Sequence, residues 1–236
     1  MKRIAFIISL MSAVATMSIS CGQNAEKKAE QVDESATVNN VTTDNMEIKK
    51  IEEPTFDIVT THGTMRVLLY NKTPLHRDNF VKHVSNKFYD GIRFHRVIDG
   101  FMIQAGDPYS RDLELINKWG TGGPDPDYTV PAEFVGEYRH KKGALAAARK
   151  GDLANPKKAS SGSQFYIVQD EEGCSHLDGQ YTVYGEVISG LDVIDNIAAL
   201  PTDRYSRPME DIMIITIKPV VEVAEEAAPA DSTLAQ

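Results

Sequence analysis

Short runs of alternating apolar and polar residues begin at Thr55 and continue almost to Pro219. Phe56, Ile58 and Val59 are followed by His62-Gly63 and then by Met65, Val67 and Leu69, the pattern of two strands joined at a turn. Thr73-Pro74 reads as a helix start, with a capping residue followed by proline at the first helical position. Leu75, Phe80, Val81 and Val84 then recur at helical spacing as far as Asn86. Strand-like runs return at Ile92–Ile98, Phe101–Gln104, Gly143–Ala147, Gln164–Gln169 and Tyr181–Ile188. Leu191, Ile194 and Ile197 predict a second helix, and Ile212–Ile217 a last strand. Strands that do not alternate with helices disfavour a parallel sheet. The expected fold is mostly β: a closed antiparallel barrel with two α-helices, closure being the usual way to remove exposed strand edges.

The flanks follow different patterns. Lys2 and Arg3 precede an apolar run from Ile4 to Ile19, which describes an export signal. The run is short for a membrane-spanning helix. It ends in Ser18-Ile19-Ser20-Cys21-Gly22, which resembles a bacterial lipoprotein signal in which the cysteine carries the lipid. Ser18 stands where that pattern usually has Leu, and an ordinary cleaved signal is the alternative. The expectation is a signal at 1–20, a flexible tether at 21–53, a folded domain at 54–218 and a disordered acidic tail at 219–236. A protein so built is held by a lipid on Cys21 in the bacterial cell envelope, at the outer membrane or periplasmic face. Cys174 is then left with no intramolecular partner.

Charge changes the picture once it is divided by segment. The whole chain of 236 residues carries −9, which argues against non-specific nucleic-acid binding. Residues 22–53 hold four lysines against eight acids and the tail holds four acids, leaving −3 on residues 54–218. The acidity belongs mostly to the flanks. Two cysteines exclude a disulfide scaffold or a Cys-rich zinc module. Six scattered histidines predict no metal site, and Gly120–Gly123 lacks the Lys-Ser/Thr that would make it a phosphate-binding loop.

The segment Phe94-His95-Arg96-Val97-Ile98-Asp99-Gly100-Phe101-Met102-Ile103-Gln104-Ala105-Gly106-Asp107 resembles the signature of the cyclophilin family of peptidyl-prolyl isomerases. Gly120-Thr121-Gly122-Gly123, Gly162-Ser163-Gln164-Phe165-Tyr166-Ile167 and Leu177-Asp178-Gly179-Gln180-Tyr181-Thr182-Val183-Tyr184-Gly185 match further motifs in the same order. The resemblance implies an eight-stranded antiparallel barrel capped by two helices. It also implies rotation about Xaa-Pro peptide bonds, a reaction that needs no cofactor.

By resemblance Arg96 donates to the nitrogen of the twisted amide and Gln104 orients it or a substrate carbonyl. Phe101, Met102, Gln164, Tyr166, Leu177 and Tyr181 form the wall and rim of a proline pocket, while Ala148 and the backbone of Arg149 line the groove for the peptide. Alternation gives a check independent of the family: Met102 and Gln104 share one face of their strand, and Gln164 and Tyr166 share one face of theirs. The resemblance puts these on the substrate side, so Phe165, on the opposite face, is expected in the core. Three positions depart from the family pattern. Tyr166 stands where Phe is usual, adding a hydroxyl that needs a partner. Tyr181 replaces a frequent rim His, and His176 stands where many members carry the Trp that helps bind cyclosporin, so inhibition by that compound is expected to be weak. Expanded loops at Pro108–Trp119 and Lys150–Gly162 flank the groove. The expected partners are proline-containing polypeptides and a membrane, with no nucleic acid and a monomeric chain. A proline-binding module without catalysis, or a barrel for a small apolar ligand, are the competing readings.

Overall fold

The computed structural model describes residues 53–220. The expected signal with Cys21, the expected tether up to residue 52 and residues 221–236 of the expected tail lie outside the described residues. Strand β1 (Thr55–Thr60) buries Phe56, Ile58 and Thr60, and β2 (Gly63–Leu69) buries Met65, Val67 and Leu69. The period-2 spacing puts each set on one face. The two strands form a hairpin closed by the pair Thr60↔Gly63, so the turn is Thr61-His62 and Gly63 already belongs to β2.

Helix α1 (Pro74–Ser85) starts at the expected proline. Its buried face is His76, Phe80, His83 and Val84, whereas Leu75 is half exposed. The remaining elements are β3 (Arg96–Ile98), β4 (Met102–Ala105), β5 (Thr129–Val130), β6 (Ala144–Ala147), β7 (Ser160–Ser161), β8 (Phe165–Val168), β9 (Val183–Ser189), α2 (Leu191–Ala198) and β10 (Ile214–Pro219). Helix α2 buries Val193, Ile194, Ile197 and Ala198, the stripe that the sequence predicts.

Eight strands form one antiparallel sheet in the order β10-β1-β2-β9-β6-β8-β4-β3, and β5 pairs only with β7. The sheet curls into a half-barrel and is open, which corrects the expectation of a closed barrel. The reason lies at its edge. The Val97 amide of β3 donates to Ser206 of the 201–210 loop (2.8 Å) instead of to β10. Across the gap, the strand-like run from Ile92 pairs irregularly, through an isolated bridge Arg93↔Met213 and the bonds Phe94 N to Ile212 O (2.9 Å) and Ile214 N to Ile92 O (2.8 Å).

Alternation along the central strands divides the side chains into two clusters. Val97, Ile103, Ala105, Leu145, Ala147, Phe165 and Ile167 point into the main core with Phe80 and α2. Met102, Ala144, Ala146, Tyr166 and Val168 point the other way, against Tyr70, Cys174 and Val183. This second face carries the site. Among the described residues no helix is long and apolar enough to cross a membrane.

Candidate active site

Strand register assembles the site. Arg96 on β3 pairs with Gln104 on β4, Gln104 with Tyr166 on β8, and Tyr166 with Ala146 on β6, so one row across four strands carries the first three functional side chains. Met102 lies two residues before Gln104 on the same face. Arg96, Phe101, Met102, Gln104, Ala148, Arg149, Tyr166, Leu177 and Tyr181 line a single open cleft. Nine of the ten residues expected from the sequence are therefore brought together. The tenth, Gln164, is buried outside the lining and meets it through Gln104.

The Arg96 guanidinium donates through Nη1 to Gln104 Oε1 (3.3 Å) and lies 3.9 Å from Met102 Sδ. Its Cζ sits 5.8 Å from the Phe101 ring centre. Burial pulls its pKa below the ordinary value, against a smaller opposing effect of Tyr181. Arginine remains charged at neutral pH even so. Gln104 Nε2 donates to Gln164 Oε1 (3.2 Å), and Gln164 Nε2 donates to the carbonyls of Gly120 (3.2 Å) and Gly122 (2.8 Å). Gln164 is thus the link that fixes Gln104, and through it Arg96.

That link is anchored by a carboxylate the sequence did not single out. Asp107 is fully buried and accepts from the backbone amides of Gly120 and Gly122, and from Tyr109 N (2.8 Å). The glycine-rich turn, unassigned in the sequence, wraps this internal carboxylate. A Cβ at Gly122 would collide with it, which explains the small residue there. The only local signal for Asp107 was its place at the end of the resembling segment.

The cleft floor and rim are aromatic. The rings of Tyr166 and Tyr181 meet edge to face, with centres 5.9 Å apart. Tyr166 Oη lies 3.0 Å from His140 Nε2, and His140 Nδ1 lies 2.8 Å from Asp178 Oδ1. His140 is the partner that the extra hydroxyl required, and sequence reasoning did not name it. On the rim, the Arg149 guanidinium stacks 4.4 Å over Tyr181 and donates to Gln180 O (2.8 Å), so its side chain, and not only its backbone, shapes the groove. Ala148 is held between Gln164 O (3.0 Å) and Ser161 N (2.8 Å). His176 stacks on Phe101 at 6.3 Å. The loop from Lys150 returns to the rim through Lys158, which bonds Gln180 Oε1. Among the described residues no group of three or more His, Cys, Asp or Glu is placed to hold a metal ion.

The curled antiparallel sheet with a half-buried arginine beside an aromatic pocket defines a class. The chain belongs to the cyclophilin-type peptidyl-prolyl cis-trans isomerases: the family model "Cyclophilin type peptidyl-prolyl cis-trans isomerase/CLD" matches residues 55–219. It is 36% identical over 170 residues to a peptidyl-prolyl cis-trans isomerase of Acinetobacter baylyi, covering 69% of this chain and 83% of that one. Another relative, the isomerase cyp15 of Rhizopus delemar, is 34% identical over 161 residues, which are 68% of this chain. The chain spans only 23% of that relative's length. A crystal structure of a Cryptosporidium parvum cyclophilin-type isomerase in the presence of the dipeptide Ala-Pro superposes with a TM-score of 0.61 at 26% identity, covering 71% of this chain and 99% of that one.

Proposed function

We propose that this chain catalyses the cis–trans isomerisation of Xaa-Pro peptide bonds in exported proteins and so assists their folding. The observation that carries the reading is the chemistry of the cleft lining. Its nine residues include no Ser, Thr, Cys, Lys, Asp, Glu or His; they supply apolar contacts, hydrogen bonds and two guanidinium groups. Such a site can do little by nucleophilic or proton-transfer chemistry, whereas rotation about a peptide bond needs neither.

The barrier to that rotation, about 18–20 kcal/mol, is set by amide resonance. Twisting breaks the resonance and localises a lone pair on the proline nitrogen. A donor fixed where this charge develops stabilises the twisted state more than the planar one, and only such a difference accelerates the step. Arg96, held by Gln104, is that donor. Phe101, Met102, Tyr166 and Leu177 grip the proline ring while the preceding residue turns along Ala148 and Arg149. The Ala-Pro dipeptide named for the Cryptosporidium structure is a substrate fragment of the expected kind.

The basic n-region, the apolar run to Ile19 and Cys21 support export and lipid attachment in a bacterial envelope, with the domain acting there as a monomer. The test of catalysis is the interconversion rate of an Ala-Pro peptide with the full chain present. Saturable acceleration is expected; a rate equal to the uncatalysed one refutes the activity. For the anchor, Cys21→Ala should move the protein from the membrane fraction to the soluble one, and unchanged membrane association refutes lipidation.

A further inference from the structure

Beneath the cleft, the buried Tyr166 and His140 and the half-buried Asp178 form a row whose hydrogen-bond polarity is determined from one end to the other. Asp178 Oδ1 receives both the His140 backbone amide (3.0 Å) and His140 Nδ1 (2.8 Å), and its other oxygen receives Arg139 Nη1 (3.1 Å). Burial alone raises the Asp178 pKa, but the bonds from His140 and Arg139 outweigh it and hold the group below the ordinary carboxylate value. A carboxylate only accepts, so Nδ1 carries the hydrogen. The His140 side chain has no exposed surface, and burial keeps its pKa below the usual value against the raising effect of Asp178. A neutral ring protonated on Nδ1 leaves Nε2 as an acceptor. The Tyr166 hydroxyl must then be the donor of the 3.0 Å bond.

We propose that His140 is a positioning residue for the proline pocket: by accepting the Tyr166 hydroxyl hydrogen it turns that hydrogen away from the cleft, so that the proline ring meets an apolar floor. The inference rests on the reading of the cleft as the proline pocket. It explains how a tyrosine serves at a floor position without adding a free donor there. The imidazole is itself held rigidly, with its backbone carbonyl accepting from Cys174 N (2.7 Å) and its ring lying 12° from parallel with Tyr166. Without His140 the buried hydroxyl is unpaired and turns toward the cleft or retains a water there, and either opposes the proline ring.

The test compares wild type, His140→Leu, Tyr166→Phe and the double variant in the proline-peptide assay, with thermal unfolding of each. His140→Leu is expected to raise KM about tenfold with little change in kcat, the effect of leaving one buried hydroxyl unpaired. Tyr166→Phe removes the hydroxyl and sets the reference KM of a floor that needs no partner. The double variant should match Tyr166→Phe in KM, because no hydroxyl remains to misdirect. A double variant as impaired as His140→Leu, or loss of folding in both backgrounds, overturns the inference and leaves His140 a structural residue. Phe101→Ala is the control for the cleft: if it binds and turns over peptide like wild type, the pocket reading fails with it. If Phe101→Ala is impaired but His140→Leu is not, the inference about His140 alone fails.

Discussion

His95, next to the central arginine, is 4% exposed and neither of its ring nitrogens has a hydrogen-bond partner. Burial drives its pKa down to about 4, Asp107 opposes this, and Arg96 and Arg207 add to it. The neutral ring is therefore the folded form, while an unfolded chain takes up a proton near pH 6.5. Between those values the unfolded state binds more protons, so stability falls as pH drops from about 6.5 towards 4. At pH 4.5 this group alone should remove about 2–3 kcal/mol relative to pH 7.5. Urea unfolding of wild type across that range should show the loss, and His95→Gln should flatten the profile; an unchanged slope would count against it. Residues whose role depends on a neighbour in the same short motif were legible in the sequence, which is why Arg96, Phe101, Met102 and Gln104 fall in one cleft as expected. His140 and Asp107 were not, because their partners are remote: Tyr166 is 26 residues from His140, and Gly120 is 13 from Asp107. The one available clue was the hydroxyl of Tyr166, which had to be paired. Gln164 receives Gln104 through its side-chain oxygen and bonds the carbonyls of Gly120 and Gly122 through its nitrogen, so it supports the cleft without lining it.

The start of α1 shows how far local pattern reaches at the scale of an element. Pro74 begins the helix as expected, but the Thr73 hydroxyl bonds Tyr70 O (3.3 Å) and caps nothing. The free helix amides of Leu75 and His76 are taken by Glu133, at 3.0 Å each, a residue 57–58 positions away. Glu133 also lies 2.6 Å from His76 Nδ1, whose Nε2 lies 2.9 Å from Ser160 Oγ. The Ser-His-acid order imitates a hydrolase triad, but Ser160 is 1% and His76 3% exposed, so no substrate reaches the serine. The group is a staple joining α1 to β7. Glu133→Ala should cost about 2–4 kcal/mol, from lost capping and a buried imidazole left unpaired. A thermal melt within error of wild type would contradict that. Histidines on the buried face also explain why α1 was only partly legible: the apolar spacing includes Leu75, which is half exposed, whereas His76 and His83 occupy the buried face.

For the whole molecule, alternation along each strand revealed the two faces of the sheet, but not whether its edges meet. Closure depends on pairing between β3 and β10, and the loop at 201–210 that satisfies β3 has no strand or helix pattern. The short pair β5 and β7, two residues each, carries too little periodicity to be seen. The core itself was readable: Phe165, fully buried between Phe80 and Tyr89, is placed inward by strand spacing once the resemblance assigns Gln164 and Tyr166 to the substrate side. Phe165→Ala should lose about 3–5 kcal/mol in urea unfolding, whereas Ile215→Ala, at a 54% exposed position of β10, should stay within about 0.5 kcal/mol. Equal effects would mean that the core does not lie on that face. The charge near −3 on residues 54–218 leaves the guanidinium groups of Arg96 and Arg149 as the charges lining the cleft, and of these Arg96 is the one held by Gln104. The most direct test of that role is the cis–trans exchange rate of an Ala-Pro peptide bound to Arg96→Ala, measured by NMR at saturation. A fixed donor to the twisted amide predicts that the peptide still binds while exchange slows about 10²–10³-fold; exchange as fast as in wild type would contradict it.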